Sequence, residues 1–349
     1  MVETNLTKCD LAFQLTYHPI YRFAQFWTFL VSLLAVPGLS YFILKRLVLL
    51  PFHGNLKCLL VCYFVSTLLF SMDLCFAFGY HSLVPLFVSS KCGLVIEVPF
   101  FKWVHILTLL LMTIPMMLPI AFSIERFIAI GMAHDYENVR VALGPILAIF
   151  LLGADVLIVY DIYRNETFRD NFVSFILIPS SSAQQLNNFF WLLLYVDIAS
   201  FFCNCVLLTA HNRLKKRYLR QRSSLSVRYE MEEIFQSSQF TLIVSCTYLL
   251  FVGWYLVSIL FVRTLGPSFF NGYINYTTAR GVFCAVPTYN LLIVFIGFGS
   301  LRHLDSRRHT KIRTTVQIKS TGREGALNYE DAISRHWDSI SSQMNRMKS

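Results

Sequence analysis

Charged residues are scarce in this sequence. Asp, Glu, Lys and Arg make up only 14% of its 349 residues, whereas 55% are hydrophobic. Soluble domains carry about 25% charged residues, so the composition argues against a water-soluble globular protein. The mean hydropathy of +0.54 indicates instead a chain that crosses a membrane several times.

The sequence also lacks the signatures of common enzymes and metal sites. It contains no His-Glu-x-x-His, Gly-x-Ser-x-Gly, P-loop or dinucleotide-binding pattern. Asp155 and Asp161 share one apolar segment, but their spacing places them about 240° apart around a helix, unlike the facing carboxylates of an aspartyl protease. Cys203 and Cys205 do not have zinc-ribbon spacing. We therefore expect no enzymatic activity, no catalytic residue, no metal and no cofactor.

The sequence contains several long apolar runs. A helix needs about 20 apolar residues to cross the hydrocarbon. The sequence holds seven such runs: Phe23 to Leu44, Cys58 to Tyr80, Phe100 to Ile124, Val141 to Tyr163, Asn187 to Ala210, Phe240 to Val262 and Gly281 to Ser300.

These runs predict an all-α membrane protein, a bundle of seven transmembrane helices over residues 23–300. An N-terminal segment, residues 1–22, precedes the bundle, and a tail, residues 301–349, follows it. The first twenty residues have no apolar core of the kind found in cleavable signal peptides, so we expect the first span to act as the insertion signal.

The basic residues predict the orientation of the bundle. Three inter-span loops and the tail, all on one side, hold 22 of the 30 Lys and Arg residues. Cytoplasmic loops are enriched in Lys and Arg, so we predict an extracellular N-terminus and a cytosolic C-terminus. The Asn-x-Thr acceptors for N-glycosylation at Asn5, Asn165 and Asn275 all fall on the predicted outer side.

Two of the nine cysteines differ from the rest. Seven lie inside predicted spans, where a thiol behaves as a small apolar group. Cys9 and Cys92 lie in outer segments that meet the oxidising compartment. We therefore predict a disulfide between them, which would tether the N-terminal segment to the top of the third helix.

Five sequence blocks carry a family resemblance. They are "FHGNLKCLLVCYF" (52–64), "SIERFIAI" (123–130), "SVRYEMEE" (226–233), "PTYNLL" (287–292) and "IKSTGREGALNYEDAI" (318–333). With seven spans, Cys9 and Cys92, the chain resembles a G-protein-coupled receptor. More closely, it resembles the nematode serpentine chemoreceptors of the Sra superfamily, in class alpha/beta (Srab) or class alpha (Sra).

The resemblance implies a coupling switch at the inner end of the third helix. Glu125 and Arg126 match the acid-arginine pair of such receptors, in which the arginine is held by its neighbour at rest and turns toward the G protein on activation. An ionisable pair at the membrane interface can also reach water and change partners. The alternative is that both side chains only mark the membrane boundary by snorkelling.

The third inner loop supplies a candidate docking surface for the G protein. The candidates among its seven basic residues are Arg213, Lys215, Lys216, Arg217 and Arg220. The alternative is a topology signal that touches anionic lipid headgroups. In the tail, the stretch from Leu301 predicts a short amphipathic helix on the membrane surface.

Some features depart from the rhodopsin pattern. The outer loop from Arg164 to Leu186 has no cysteine, and the sixth span has no proline. In the seventh span Pro287 precedes Asn290 instead of following it. The details of activation in rhodopsin-like receptors therefore do not transfer to this chain.

Six polar or aromatic residues are candidates for contacts to a ligand in an outer cavity: Asp73, Trp103, His105, Trp254, Tyr255 and Arg280. Intramembrane carboxylates tend to be functional, which favours Asp73. Trp and Tyr near the interface usually form the aromatic belt, which is the alternative for the aromatic candidates. For the intramembrane acids Asp155 and Asp197 we expect interhelical hydrogen bonds.

Together these features predict a chemosensory G-protein-coupled receptor. It would lie in the plasma membrane of a sensory neuron, bind a small environmental or signalling molecule, and activate a heterotrimeric G protein. Membrane lipids are further partners, a receptor dimer is left open, and no nucleic-acid partner is expected. The alternative is a ligand-gated ion channel or transporter of inverted seven-helix topology, although no span shows the polar stripe of a channel.

The orientation can be tested without a ligand by changing Asn5, Asn165 and Asn275 singly to Gln and adding a protease-accessible tag after Ser349. We expect at least one variant to lose a glycan and the tag to be shielded in intact cells. An exposed tag together with no glycan would instead support the inverted channel.

Overall fold

The computed structural model describes residues 8–88, 90–132, 141–168, 173–175, 177–179, 181–220, 225–317, 329–330 and 334. Within these ranges the chain is helical and contains no strand. The α-helices are α1 (Lys8–Thr16), α2 (Pro19–Phe42), α3 (Gly54–Phe87), α4 (Val98–Gly131), α5 (Leu143–Tyr163), α6 (Ala183–Arg220), α7 (Leu225–Tyr248), α8 (Trp254–Phe269), α9 (Tyr273–Gly281) and α10 (Ala285–Gln317).

The prediction of a seven-transmembrane bundle is confirmed. Among the described residues, seven helical stretches are long and apolar enough to cross a membrane: Pro19–Leu47, Gly54–Phe87, Lys91–Gly131, Leu143–Tyr163, Ala183–Lys215, Met231–Phe269 and Tyr273–Leu304. Each contains one of the predicted runs, except that the fourth begins at Leu143 and not at Val141. The hydropathy of the sequence therefore located every span.

Helix α4 lies at the centre of the bundle and contacts α3, α5, α6 and α7. The first and last spans are in contact, because α2 packs against α10. At Gly297 an added methyl group would come within 2.8 Å of the Phe42 ring, so glycine permits this close approach. Phe298 meets the same ring edge-on, with the centroids 5.2 Å apart.

The sixth and seventh spans are interrupted. The sixth contains a π-helical turn at Leu249–Gly253, between α7 and α8, a feature that often occurs at functional sites. Its proline, Pro267, lies beyond the predicted apolar run, near the end of α8. The seventh consists of α9 and α10, separated by a break at residues 282–284. Pro287 lies in the first turn of α10, where a missing backbone N–H breaks no helical hydrogen bond.

The N-terminal segment is fastened across one end of the bundle. The structure has a disulfide between Cys9 of α1 and Cys92 in a short 3-10 turn before α4, with the Cα atoms 4.5 Å apart. An ion pair of 2.9 Å between Asp10 and Lys91 lies beside it. We call this end of the bundle the disulfide end. The opposite end, where α4 carries Glu125 and Arg126, is called the Glu-Arg end.

The chain from Gly299 onward forms a compact unit of its own. Helix α10 runs without a break from Ala285 to Gln317. The segment from Leu301, for which a short amphipathic helix is predicted, is helical as far as Gln317.

Glycine at position 144 is required by the contact between α3 and α5. A Cβ atom there would lie 2.2 Å from the backbone oxygen of Asn55, whose side-chain oxygen accepts a hydrogen bond of 3.1 Å from the Gly144 N–H. Gly153 of the same helix has no atom within 4 Å of such a Cβ.

We expect Gly144→Ala to lower the thermal midpoint of the purified protein, because overpacking against backbone costs about 1–3 kcal/mol. The matched control Gly153→Ala should leave the midpoint unchanged or raise it slightly. Thermal unfolding in detergent or nanodiscs measures both, and equal midpoints would contradict the assigned contact.

Candidate functional site

A cavity opens at the disulfide end, between α2, α4, α6, α8 and α9. Its empty volume is about 630 Å³, which includes space open to solvent. Its polar lining residues are Tyr21, Gln25, His105, Thr108, Ser174, Tyr255, Arg263 and Arg280. A cavity with a few convergent polar groups is the usual form of a small-molecule site.

The structure brings three of the six candidate ligand residues to this cavity: His105, Tyr255 and Arg280. Asp73 is buried and does not line it, but it accepts a hydrogen bond of 2.7 Å from Thr108, which does. Asp73 therefore holds a lining side chain in place.

Trp103 and Trp254 do not reach the cavity. The two residues are 72% and 67% exposed. The expectation that they line the ligand site is not met in this structure, because neither is among the residues that line the two cavities. The aromatic-belt alternative stays a prediction for both.

His105 connects the cavity to the segment that covers it. Its Nδ1 lies 2.7 Å from the carbonyl oxygen of Phe175, and its Nε2 lies 2.8 Å from the hydroxyl of Tyr163. A carbonyl can only accept, so Nδ1 carries a hydrogen, whereas the Tyr163 hydroxyl can either donate to Nε2 or accept from it. Both ring nitrogens of this buried side chain therefore have partners.

Arg263 is a cavity residue that sequence reasoning missed. It lies on α8 and donates a hydrogen bond to the side-chain oxygen of Asn187 on α6. Arg263 and Arg280 line the same cavity. The available signal was its position directly after the sixth apolar run, on the side of the chain that is poor in Lys and Arg.

A second, more apolar cavity adjoins the first. It shares Thr108, Met112, Tyr255 and Arg280 with the first cavity and has an empty volume of about 500 Å³. The rest of its lining is mostly hydrophobic, including Phe70, Leu74, Phe78, Val286 and Pro287. The shared residues make the two cavities neighbouring parts of one region.

At the Glu-Arg end, the predicted switch pair is buried. Two guanidinium nitrogens of Arg126 lie 2.5 and 2.7 Å from the carboxylate of Glu125, and a third donates a hydrogen bond of 2.5 Å to Ser237 on α7. The side chains of Arg126 and Glu125 are 2% and 0% exposed.

This burial corrects the expectation that the pair reaches water at the interface, and it argues against snorkelling. A buried ion pair is stabilised only if its remaining hydrogen-bonding groups find partners, which Ser237 provides here. The pair therefore joins α4 to α7.

Helices α6 and α7 are also joined at this end. Lys215 forms an ion pair of 2.6 Å with Glu232, and His211 lies 2.9 Å from the carbonyl oxygen of Met231. Of the predicted docking residues, Arg213 is exposed and Lys215 is partly buried in this pair. The side chains of Lys216, Arg217 and Arg220 lie outside the described residues.

Two of the predicted glycosylation acceptors can be located. Asn165 is exposed in the segment after α5, and Asn275 is exposed in the first turn of α9. Asn5 lies outside the described residues. Asn165 is the more accessible acceptor, because Thr277, which completes the other sequon, is buried.

Polar side chains on α4 bond to three neighbouring helices between the two ends. Thr108 donates a hydrogen bond to Asp73 on α3, and Thr113 donates one of 3.0 Å to Asp155 on α5. Ser123 accepts a hydrogen bond of 2.9 Å from Asn204 on α6. The interhelical role expected for Asp155 is thus present. One carboxylate oxygen of Asp197 is buried and has no hydrogen-bond partner among the described residues.

Comparison with known proteins identifies the family. A family model for serpentine type 7TM GPCR chemoreceptor Srb matches residues 17–252. Serpentine receptor class beta-12 of Caenorhabditis elegans is 56% identical over 350 residues, which covers 100% of both chains. Serpentine receptor class beta-5 of the same organism is 55% identical, covering 98% of this chain and 99% of the relative.

These relatives confirm the resemblance to nematode serpentine chemoreceptors, with class beta in place of the predicted class alpha/beta or alpha. The family is one of multi-pass membrane receptors and not of enzymes. With its seven spans, its buried Glu125–Arg126 pair and this extent of identity, the chain belongs to the Srb family of serpentine G-protein-coupled chemoreceptors.

Proposed function

We propose that this receptor binds a small molecule in the cavity at the disulfide end and activates a heterotrimeric G protein through the Glu-Arg end. The disulfide end faces the outside, and the protein acts in the plasma membrane of a sensory neuron. The outward orientation is supported by the Lys and Arg distribution and by Asn165, which is exposed at that end.

The observation that carries the proposal is that a single helix serves both ends. His105 and Thr108 of α4 line the cavity, and Arg126 of the same helix is bonded to α7. At 1.5 Å per residue, about 27 Å of helix separates Thr108 from Arg126. A ligand that shifts α4 relative to its neighbours therefore acts directly on the Arg126 contacts.

In the resting state Arg126 is fully occupied by Glu125 and Ser237. A ligand can favour an active state only by binding it more tightly than the resting state. In that active state α7 moves away from α4, the bond to Ser237 breaks, and Arg126 becomes available to the G protein. The π-helical turn at Leu249–Gly253 lies between the two ends in the sixth span and supplies an irregular point at which that span can bend.

The family does not favour the alternative of an ion channel or transporter. Polar side chains at the centre of the bundle are paired between helices, as in Thr113 with Asp155 and Asn290 with Ser71. They support a closed, hydrogen-bonded interior.

Ser237→Ala should raise ligand-independent coupling. The change removes the α4–α7 hydrogen bond but leaves the ion pair intact, and losing about 1 kcal/mol from the resting state shifts the equilibrium about fivefold. Gα–Gβγ dissociation, measured by resonance energy transfer with a panel of Gα subunits, gives the basal activity.

Ser238→Ala is the matched control for this change. The adjacent serine is equally buried, and its hydroxyl has no hydrogen-bond partner among the described residues. Its basal activity should equal that of the unchanged receptor. Equal activity of the two serine variants would refute the restraint assigned to Ser237.

Arg126→Ala should abolish coupling while the receptor still reaches the cell surface, because no other group can replace the guanidinium. The test is most sensitive in the Ser237→Ala background, where basal activity is expected to be high. Surface labelling of the same cells separates lost coupling from lost expression. Undiminished coupling at normal surface levels would remove Arg126 from the mechanism.

A further inference from the structure

The cavity at the disulfide end is cationic. Arg263 and Arg280 both line it, and arginine stays charged at all physiological pH values. The other base in the lining, His105, has both ring nitrogens engaged with Phe175 and Tyr163. Two guanidinium charges therefore face one cavity.

Among the described residues that line the two cavities there is no Asp or Glu to balance these charges. Arg263 and Arg280 line the same cavity, and like charges repel each other more strongly in surroundings of low dielectric constant than in water.

Two acids among the described residues, Asp73 and Glu166, are engaged in other hydrogen bonds. Asp73 accepts the hydrogen bond from Thr108, and Glu166 accepts from Ser181 at 2.5 Å and from the backbone N–H of Phe168 at 3.1 Å. Burial raises the pKa of Glu166, but these hydrogen bonds outweigh burial and hold the pKa below its usual range. Its negative charge is directed into its own loop.

Both arginines keep unused donors. The Nε atoms of Arg263 and Arg280 are buried and have no hydrogen-bond partner among the described residues. Asn187 takes one terminal nitrogen of Arg263, and the Arg280 guanidinium lies 5.4 Å from the centre of the Tyr276 ring. Buried donors without partners are costly, and guanidinium groups bind carboxylates through paired hydrogen bonds.

The remainder of the lining is apolar. Leu109, Met112, Leu186, Phe190 and Ile259 surround the first cavity, and the adjoining cavity is more hydrophobic still. The region therefore offers one cationic pole and a hydrophobic body.

We infer that the ligand of this receptor is a small organic acid, with its anionic headgroup between Arg263 and Arg280 and its hydrocarbon or aromatic body in the apolar part of the two cavities. This inference rests on the proposed function and specifies the ligand class of the same site. The acid neutralises the repulsion between the two cations, and its headgroup takes up their unused donors.

The first experiment compares headgroups on the unchanged full-length receptor in phosphatidylcholine nanodiscs. The probes are hexanoate, octanoate, benzoate and phenylacetate, each set against the alcohol and the amine of the same skeleton, with inorganic sulfate as an anion that has no apolar body. A ligand that binds the folded state raises the thermal midpoint by an amount that grows with the logarithm of its concentration relative to its Kd. We expect at least one carboxylate to raise it, and its matching alcohol, its amine and sulfate to have little effect.

The second experiment places that effect in the cavity. Arg263→Gln and Arg280→Gln should each weaken the apparent affinity for the active carboxylate about tenfold or more, and Arg→Lys at either position should restore part of it. The matched control is Arg164→Gln, because Arg164 is exposed and forms a surface ion pair with Asp161. The Arg164→Gln variant should bind the acid with the same affinity as the unchanged receptor.

Each outcome bears on the inference. If no carboxylate raises the midpoint, or if the Gln variants bind it as tightly as the control, the acid assignment is overturned. If only alcohols or amines stabilise the receptor and the cavity variants alter that response, the acid assignment fails while a cavity-binding receptor stands. Failure of the proposed function is a separate result: no Gα subunit responds to the receptor, including the Ser237→Ala form.

Discussion

Helix α4 depends on polar contacts that only its neighbours can supply. It crosses the apolar interior with Thr108, Thr113, Ser123 and Arg126, each of which bonds to a different helix. In hydrocarbon an unpartnered polar group costs several kcal/mol, so these bonds fix which helices surround α4 and in which rotation. The central position of α4 follows from this constraint.

The same constraint separates two kinds of polar site in the bundle. Along α4, nearly every polar group is satisfied by another helix, which favours one packing arrangement. In the cavity at the disulfide end, by contrast, Arg263 and Arg280 are held by neighbouring side chains yet retain donors without partners among the described residues. Groups of the first kind stabilise the receptor, and groups of the second kind are available to a ligand.

Burial changes the meaning of the Glu125–Arg126 pair. From the sequence, Glu125 and Arg126 at the end of an apolar run are compatible with side chains that reach water. The same local sequence is equally compatible with a buried pair. The structure has Arg126 enclosed between Glu125 and Ser237, 111 residues further along the chain. Ser237 carries no motif, because its role depends only on where α7 packs.

By itself, the sequence determined the number and position of the spans and the resemblance to serpentine chemoreceptors, because hydropathy and local motifs are properties of contiguous residues. It also singled out Cys9 and Cys92 as a pair, from their locations outside the spans. Only the tertiary structure decided that His105 lines the cavity while Trp103 does not, and that Arg263 joins Arg280. The direction of a side chain around a helix, and its proximity to a residue on another helix, are set by packing between segments that are distant in sequence.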